Sequence, residues 1–143
     1  MADVRAKEMP ATNQERPQLS KNFYLYEFDC RDGTPVPEEK VEGLEAFTEK
    51  NLQPLREFLG STVFITSAYR TPEYNKAVGG VDGSYHLYDK DAFAVDLMVQ
   101  GVEPPLVKVI IEGLIRLGVM EEGGLGLYKN FVHYDNRGYR ARW

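Results

Sequence analysis

Ser84-Tyr-His-Leu-Tyr-Asp-Lys-Asp-Ala-Phe-Ala-Val-Asp-Leu97, read together with Phe131-Val-His-Tyr-Asp135, decides what this chain is expected to be. Ala94 to Val99 alternates as a strand does, with Ala94, Asp96 and Met98 on one face and Val95, Leu97 and Val99 on the other. Asp96 is thus an acid set among apolar residues. In the second stretch His133 and Asp135 share a face. The chain has two histidines, His86 and His133, and both fall inside these segments. A histidine and an aspartate on neighbouring backbone, plus a histidine from a later strand, form the ligand set of an open zinc site, with one position left for water. Either histidine alone reads equally well as a satisfied structural residue; taken with Asp96, the pair favours a metal.

Working outward, Ser61-Thr-Val-Phe-Ile-Thr66 is β-branched and apolar, and reads as a strand that delivers Ser67-Ala-Tyr-Arg70 at its end. Thr71-Pro72-Glu73 then caps a short helix that stops at Gly79-Gly80. Gly123 to Tyr128 and Phe131 to Asp135, separated by Lys129-Asn130, read as a hairpin. Two longer helices are expected. One runs from Pro37-Glu38-Glu39 to Gly60, with Pro54 kinking or breaking it; the other opens at Glu103-Pro-Pro and carries Leu106, Val109, Ile110, Leu114 and Leu117 on one face. The aromatic-rich segment from Leu19 to Phe28 reads as a piece that docks over the core. Residues 1–18 show no periodicity and read as a flexible lead-in to a single domain over 19–143. The expected fold class is α+β: a small antiparallel sheet from strands near 62–66, 94–99, 124–128 and 131–135, with helices packed on it.

Composition narrows the function classes. At 143 residues, 43% hydrophobic and 27% charged, the chain has the make-up of one globular domain. A formal net charge of -5 argues against a nucleic-acid partner, which needs a clustered basic footprint. No apolar run approaches the roughly 18 residues of a membrane span, and the first residues lack the apolar core of a secretory signal. The chain is therefore expected to be cytoplasmic as synthesised, acting on a cell wall only after release. The lone Cys30 excludes an internal disulfide and reads as a small buried hydrophobe.

The ordered elements Ser67-Ala-Tyr-Arg-Thr-Pro-Glu-Tyr-Asn75, Gly79-Gly80, Ser84-Tyr-His86, Ala94-Val-Asp-Leu97 and Phe131-Val-His-Tyr-Asp135 resemble the zinc D-Ala-D-Ala carboxypeptidase and L-alanoyl-D-glutamate endopeptidase family of peptidoglycan peptidases. The likeness is to its short phage and bacterial branch, in which Leu19 to Phe23, Glu27-Phe28 and Arg137-Gly-Tyr-Arg-Ala-Arg-Trp143 also look familiar, and it spans about residues 19 to 143. The resemblance implies a Hedgehog/DD-peptidase type of fold, and Zn2+ held by His86, Asp96 and His133. It further implies a peptidoglycan stem peptide as substrate and Arg70 as the cation that holds a substrate carbonyl or carboxylate. Tyr69 and Ser84 are expected on the substrate side, with Ser84 also positioning its loop, and a monomer is expected.

Three features depart from the family pattern. Nine residues, Leu87 to Val95, separate His86 from Asp96 where six are usual, as if three had been inserted around Tyr88-Asp-Lys-Asp91. Asp89 and Asp91 therefore compete with Asp96 as ligand, although no apolar strand follows either. Asn130 stands where many relatives carry a glutamate base three residues before the last histidine, and Phe131 where others carry a further histidine. Asp135 is the base favoured by the spacing, since side chains two apart on one strand face lie about 6 to 7 Å apart. The alternative for Asp135 is to orient a histidine ring or to pair with Arg137. The functional expectation is a peptidase that hydrolyses D,D- or L,D-type bonds in peptidoglycan stem peptides, as in phage lysis or a virion. The alternative is a catalytically inactive wall-binding or virion module that keeps the fold.

Overall fold

Asp96 and His133 sit directly opposite each other on two hydrogen-bonded antiparallel strands, and the rest of the architecture follows from that pairing. This computed structural model describes residues 17–143. The strands are β4 (Ala94–Val99) and β6 (Val132–Asp135), flanked by β3 (Val63–Ser67) on one side and β5 (Gly124–Leu127) on the other. A further strand, β7 (Ala141–Arg142), completes a five-stranded sheet of order β3-β4-β6-β5-β7. Ahead of these, β1 (Gln18–Ser20) and β2 (Phe23–Tyr24) form a separate two-stranded piece. The lead-in expected over residues 1–18 lies outside the described residues apart from Pro17 and Gln18, and Gln18 already opens β1.

The antiparallel sheet expected from the sequence is instead mixed. After β6 the chain reverses and lands on the outer edge of β5, so β7 runs parallel to it, pairing Gly124 with Ala141 and Leu125 with Arg142. The hairpin between β5 and β6 forms as read, with Leu127 opposite Val132 and the Tyr128 N–H donating to the Phe131 carbonyl at 3.0 Å across Lys129-Asn130.

One face of the sheet is apolar. Val95, Leu97 and Val99 of β4, Leu125 of β5, and Val132 and Tyr134 of β6 are all buried in the core. Helix α4 (Pro104–Arg116) packs there through Val107, Ile111 and Leu114, so the buried face is rotated from the expected one and shares with it only Leu114 and the partly buried Ile110. Leu106, Val109 and Leu117 remain exposed. The docking segment of the sequence does cover the core, burying Leu19, Phe23 and Phe28.

Pro54 neither breaks nor ends the first long helix. Helix α1 (Glu38–Phe47) passes into one wide π turn over Thr48–Leu52 and continues as α2 (Gln53–Leu59), with Pro54 in its first turn. Proline has no N–H to give the preceding turn, and widening that turn just before it accommodates the loss. Buried side chains of this turn bond back to carbonyls one turn earlier: Thr48 Oγ1 donates to Leu44 O at 2.8 Å and Asn51 Nδ2 to Phe47 O at 3.1 Å. Asn51 also accepts from the Glu121 N–H at 2.8 Å, tying this helix to the chain entering β5. Phe47 stacks on Tyr134 behind the site, with ring centroids 5.9 Å apart. With both helical runs on one face, the opposite face of β4, β6 and β5 carries Asp96, His133, Asp135 and two glycines, with Ala94 and Met98 beside them.

Candidate metal centre

The register places Asp96 and His133 side by side, and β3 brings the third group. Beyond β3 the chain runs through Ala68 to Arg70, and helix α3 (Pro72–Ala77) follows with the Thr71 hydroxyl accepting from the Tyr74 N–H. His86 sits on a single 3-10 turn, Tyr85–Leu87, whose first N–H groups are capped by Ser84: the Ser84 Oγ accepts from the His86 N–H at 3.1 Å. The Arg70 N–H donates to the His86 carbonyl at 2.8 Å, and the His86 ring Nδ1 lies 2.7 Å from the Ala68 carbonyl. The turn is therefore stitched to the segment after β3 by backbone and by ring.

The extra residues between His86 and Asp96 do not push the two apart. Tyr88 adopts a left-handed conformation (φ 57°), a costly position for a side chain larger than asparagine, and turns its ring into the core. There the ring meets Tyr69 at 5.6 Å and Phe93 at 4.9 Å, and its hydroxyl donates to Ala94 O at 3.0 Å. Lys90 closes the loop by donating to Gly83 O at 2.8 Å. The added chain is a pinned excursion, and the His86 Nε2 stands 3.2 Å from Asp96 Oδ1.

His86, Asp96 and His133, all buried, thus offer three ligand atoms within 4.8 Å of one another. Asp89 and Asp91 are not among them. Hydrogen-bond logic indicates what such a group fits. The only acceptor facing His86 Nδ1 is a carbonyl, so that nitrogen carries the proton and Nε2 turns a bare lone pair on Asp96. Burial holds the His86 pKa below its ordinary value despite the Asp96 carboxylate, which favours this neutral ring. His133 repeats the pattern, with Nε2 2.7 Å from Asp135 Oδ2 and Nδ1 3.2 Å from Asp96 Oδ1. The His86 Nε2, His133 Nδ1 and Asp96 Oδ1 converge on one point, and two imidazoles with one carboxylate are a zinc-type donor set.

Charged side chains fix this arrangement. Arg70 donates from Nη2 to Asp96 Oδ2 at 3.2 Å, from Nη1 to Asn75 Oδ1 at 3.0 Å and from Nε to Ser67 Oγ at 3.2 Å, leaving Asp96 Oδ1 toward the histidines. Gly80 is required beside this contact, because a Cβ there would strike the Asn75 amide and the Arg70 guanidinium. Asp135 is fully buried at 0% exposure and accepts five hydrogen bonds. Oδ1 takes the Gly124 N–H, the Arg137 N–H and Arg137 Nε, while Oδ2 takes His133 Nε2 and Arg137 Nη2. Burial opposes its charge, but His133 and Arg137 outweigh burial and hold the carboxyl well below the usual range. For His133, burial is likewise outweighed by Asp135 and Asp96, and its pKa is raised.

These three groups floor a cleft of approximately 600 Å³, lined also by Arg70, Ser84, Tyr85, Tyr128, Phe131, Arg137 and Trp143. Among the sequence-chosen substrate residues, Arg70 and Ser84 reach the cleft, although the Ser84 hydroxyl is engaged in capping. Tyr69 does not: its ring packs against the core beside Tyr88. The expectation of Asp135 as a base meets a carboxylate sealed behind His133 with every lone pair engaged. Tyr85 and Trp143 went unassigned in the sequence, yet both form cleft wall. Trp143 is 45% exposed, lies 5.0 Å from the His133 ring and donates from Nε1 to the Tyr128 hydroxyl at 2.8 Å. A signal for them was present in β5, where Gly124 and Gly126 alternate on the site face. A Cβ on Gly124 would strike Asp135 and Arg137, and one on Gly126 the Trp143 indole.

A buried histidine–aspartate–histidine group in an open cleft, each ring held by its far nitrogen, is an arrangement that could hold a metal ion. A family model described as Peptidase M15 matches residues 21–135, and the chain belongs to that family of peptidases, the zinc D-Ala-D-Ala carboxypeptidase family its motifs resemble. No curated protein and no solved structure matches the chain. Among the described residues, no helix is long and apolar enough to cross a membrane.

Proposed function

We propose that this chain is a zinc-dependent peptidase that hydrolyses peptide bonds in peptidoglycan stem peptides, of the D,D-carboxypeptidase or L,D-endopeptidase type, with His86, Asp96 and His133 holding the metal. The observation that carries the reading is the convergence of His86 Nε2, His133 Nδ1 and Asp96 Oδ1 with the far nitrogen of each ring already engaged. Zinc bound there supplies Lewis acidity, polarising a carbonyl and acidifying water. Arg70 has three of its five N–H groups committed and keeps one on each terminal nitrogen for a substrate oxygen, which suits it to stabilising negative charge that develops on a scissile carbonyl. The geometry supports Asp135 as a positioning residue and not as the base. It holds the proton on His133 Nε2, so that Nδ1 faces the metal point. Tyr128, Phe131 and Trp143 wall the cleft and keep water from one side of a bound peptide.

One observation favours a second reading, a wall-binding module without turnover: among the described residues, Asp96 is the only carboxylate lining the cleft. Digestion of purified peptidoglycan followed by mass spectrometry of the new termini separates the two. The peptidase reading expects chelator-sensitive products that His86→Ala abolishes; intact glycopeptide after digestion by zinc-loaded protein would sink it.

A further inference from the structure

Arg137 stands at the cleft edge on the side of His133 away from Arg70, and its surroundings go beyond what is needed to hold Asp135. Two of its five N–H groups bind the Asp135 carboxylate and a further contact runs to the Tyr139 hydroxyl, leaving two N–H groups beyond these. The guanidinium carbon lies over the Tyr85 ring, 4.4 Å from its centroid, with the Tyr139 ring at 5.7 Å and the Trp143 ring at 5.4 Å. The hydroxyls of Tyr85 and Tyr139 come within 3.5 Å of each other at this rim. Lys90 sits 5.1 Å from the centroid of the same Tyr85 ring. An arginine immobilised by a buried ion pair and by stacking, with donors to spare and two hydroxyls beside it, is built to receive a planar anion without losing side-chain entropy on binding. Charge agrees. Arg70 and Arg137 balance Asp96 and Asp135, so a divalent cation would leave the cleft positive.

Building on the proposed peptidase reading, we infer that Arg137, with the Tyr85 and Tyr139 hydroxyls, forms a carboxylate-recognising subsite that selects substrates bearing a free carboxylate near the bond to be cut. A stem peptide offers two such groups, the glutamyl α-carboxylate and the terminal carboxylate. Three versions of one stem pentapeptide test the inference: both carboxylates free, the glutamyl one amidated, and the terminal one amidated. Each is titrated calorimetrically into zinc-loaded full-length protein, and cleavage is followed by mass spectrometry.

One of the two amidations should weaken binding about tenfold, as loss of a charge-assisted contact does, and which one identifies the recognised group. Arg137→Gln should bind all three peptides alike. Tyr139→Phe, which deletes one hydroxyl from a ring that is 58% exposed, should reduce the preference to a few-fold with zinc content unchanged. The inference is overturned if neither amidation weakens binding. It is equally overturned if both variants weaken all three peptides by one factor and keep the preference, the signature of a role through His133 alone. Preference without cleavage would sink the peptidase reading and leave the subsite standing; cleavage without preference would do the reverse.

Discussion

The two histidines of the site are oriented by different physics. His86 is held by backbone: its ring donates to the Ala68 carbonyl, and its own carbonyl and N–H are tied to Arg70 and Ser84. His133 is held by charge, through Asp135, which in turn is fixed by Arg137. A carbonyl cannot be removed by substituting its residue, whereas a carboxylate can. The His86 half should therefore tolerate changes around the ligand, and the His133 half should fail through any of several side chains.

Removing a ligand breaks both halves at once, and this is the largest effect expected. His86→Ala and His133→Ala should each abolish stoichiometric zinc binding by metal analysis, and a chelator should reproduce that loss in the unaltered protein. Retention of zinc by either variant would refute the three-ligand assignment.

Next comes a direct contrast of the two supports. Asp135→Asn should lower zinc affinity about 10- to 100-fold, the usual cost of losing a partner that orients a ligating histidine. Ala68→Gly leaves the carbonyl in place and should change affinity by less than a few-fold. Competition with a fluorescent chelator measures both, and equal losses would erase the distinction drawn between the halves.

The two glycines of β5 sharpen it further. Gly124→Ala places a methyl against Asp135 and Arg137, which are locked to each other, so zinc affinity should fall. Gly126→Ala meets first the Trp143 indole, which is partly exposed and held by a hydrogen bond to the Tyr128 hydroxyl that an outward swing would break. Its expected signature is a red shift in the emission of Trp143, the sole tryptophan, with zinc affinity retained.

The smallest effect concerns how the charged half is tied to α4. Glu112 accepts from Arg142 at 2.7 Å and from Arg140 at 2.9 Å, and these contacts, Arg142 foremost, lower its pKa to about 2 against an opposing contribution from burial. A depressed carboxylate contributes stability above its ordinary pKa of 4.5 and loses it as pH falls through about 2. Glu112→Gln should thus lower the melting temperature at pH 7 by a few degrees, and the gap from the unaltered protein should close between pH 4.5 and 2. A gap that does not vary with pH would mean that the clasp contributes shape and not charge.

Much of this arrangement was legible in residue order. Alternation in Ala94–Val99 fixed which side chains share a face with Asp96, and the Lys129-Asn130 turn fixed the hairpin that carries His133. Both are local properties, set by the two-residue period of a strand and by a short loop. The fate of Asp135 was legible only as two alternatives, a base or a partner of His133 and Arg137, and the contacts to His133 and Arg137 are the ones the structure shows. Spacing put it on the face of His133, but whether it meets solvent or lies sealed depends on Gly124 and Arg137 closing around it. Tyr69 was misplaced for a similar reason, since the turn after β3 sends neighbouring side chains to opposite sides and the core claims that ring.

The sequence by itself pointed to His86, Asp96 and His133, because only two histidines exist and one acid sits in an apolar strand beside them, and the fold brings the three together. Tertiary structure alone decided that the longer loop leaves His86 beside Asp96, by turning Tyr88 into the core. It also decided that β7 closes the sheet in parallel and brings Trp143 to the cleft. These outcomes rest on contacts between residues far apart in the chain, which no local pattern encodes.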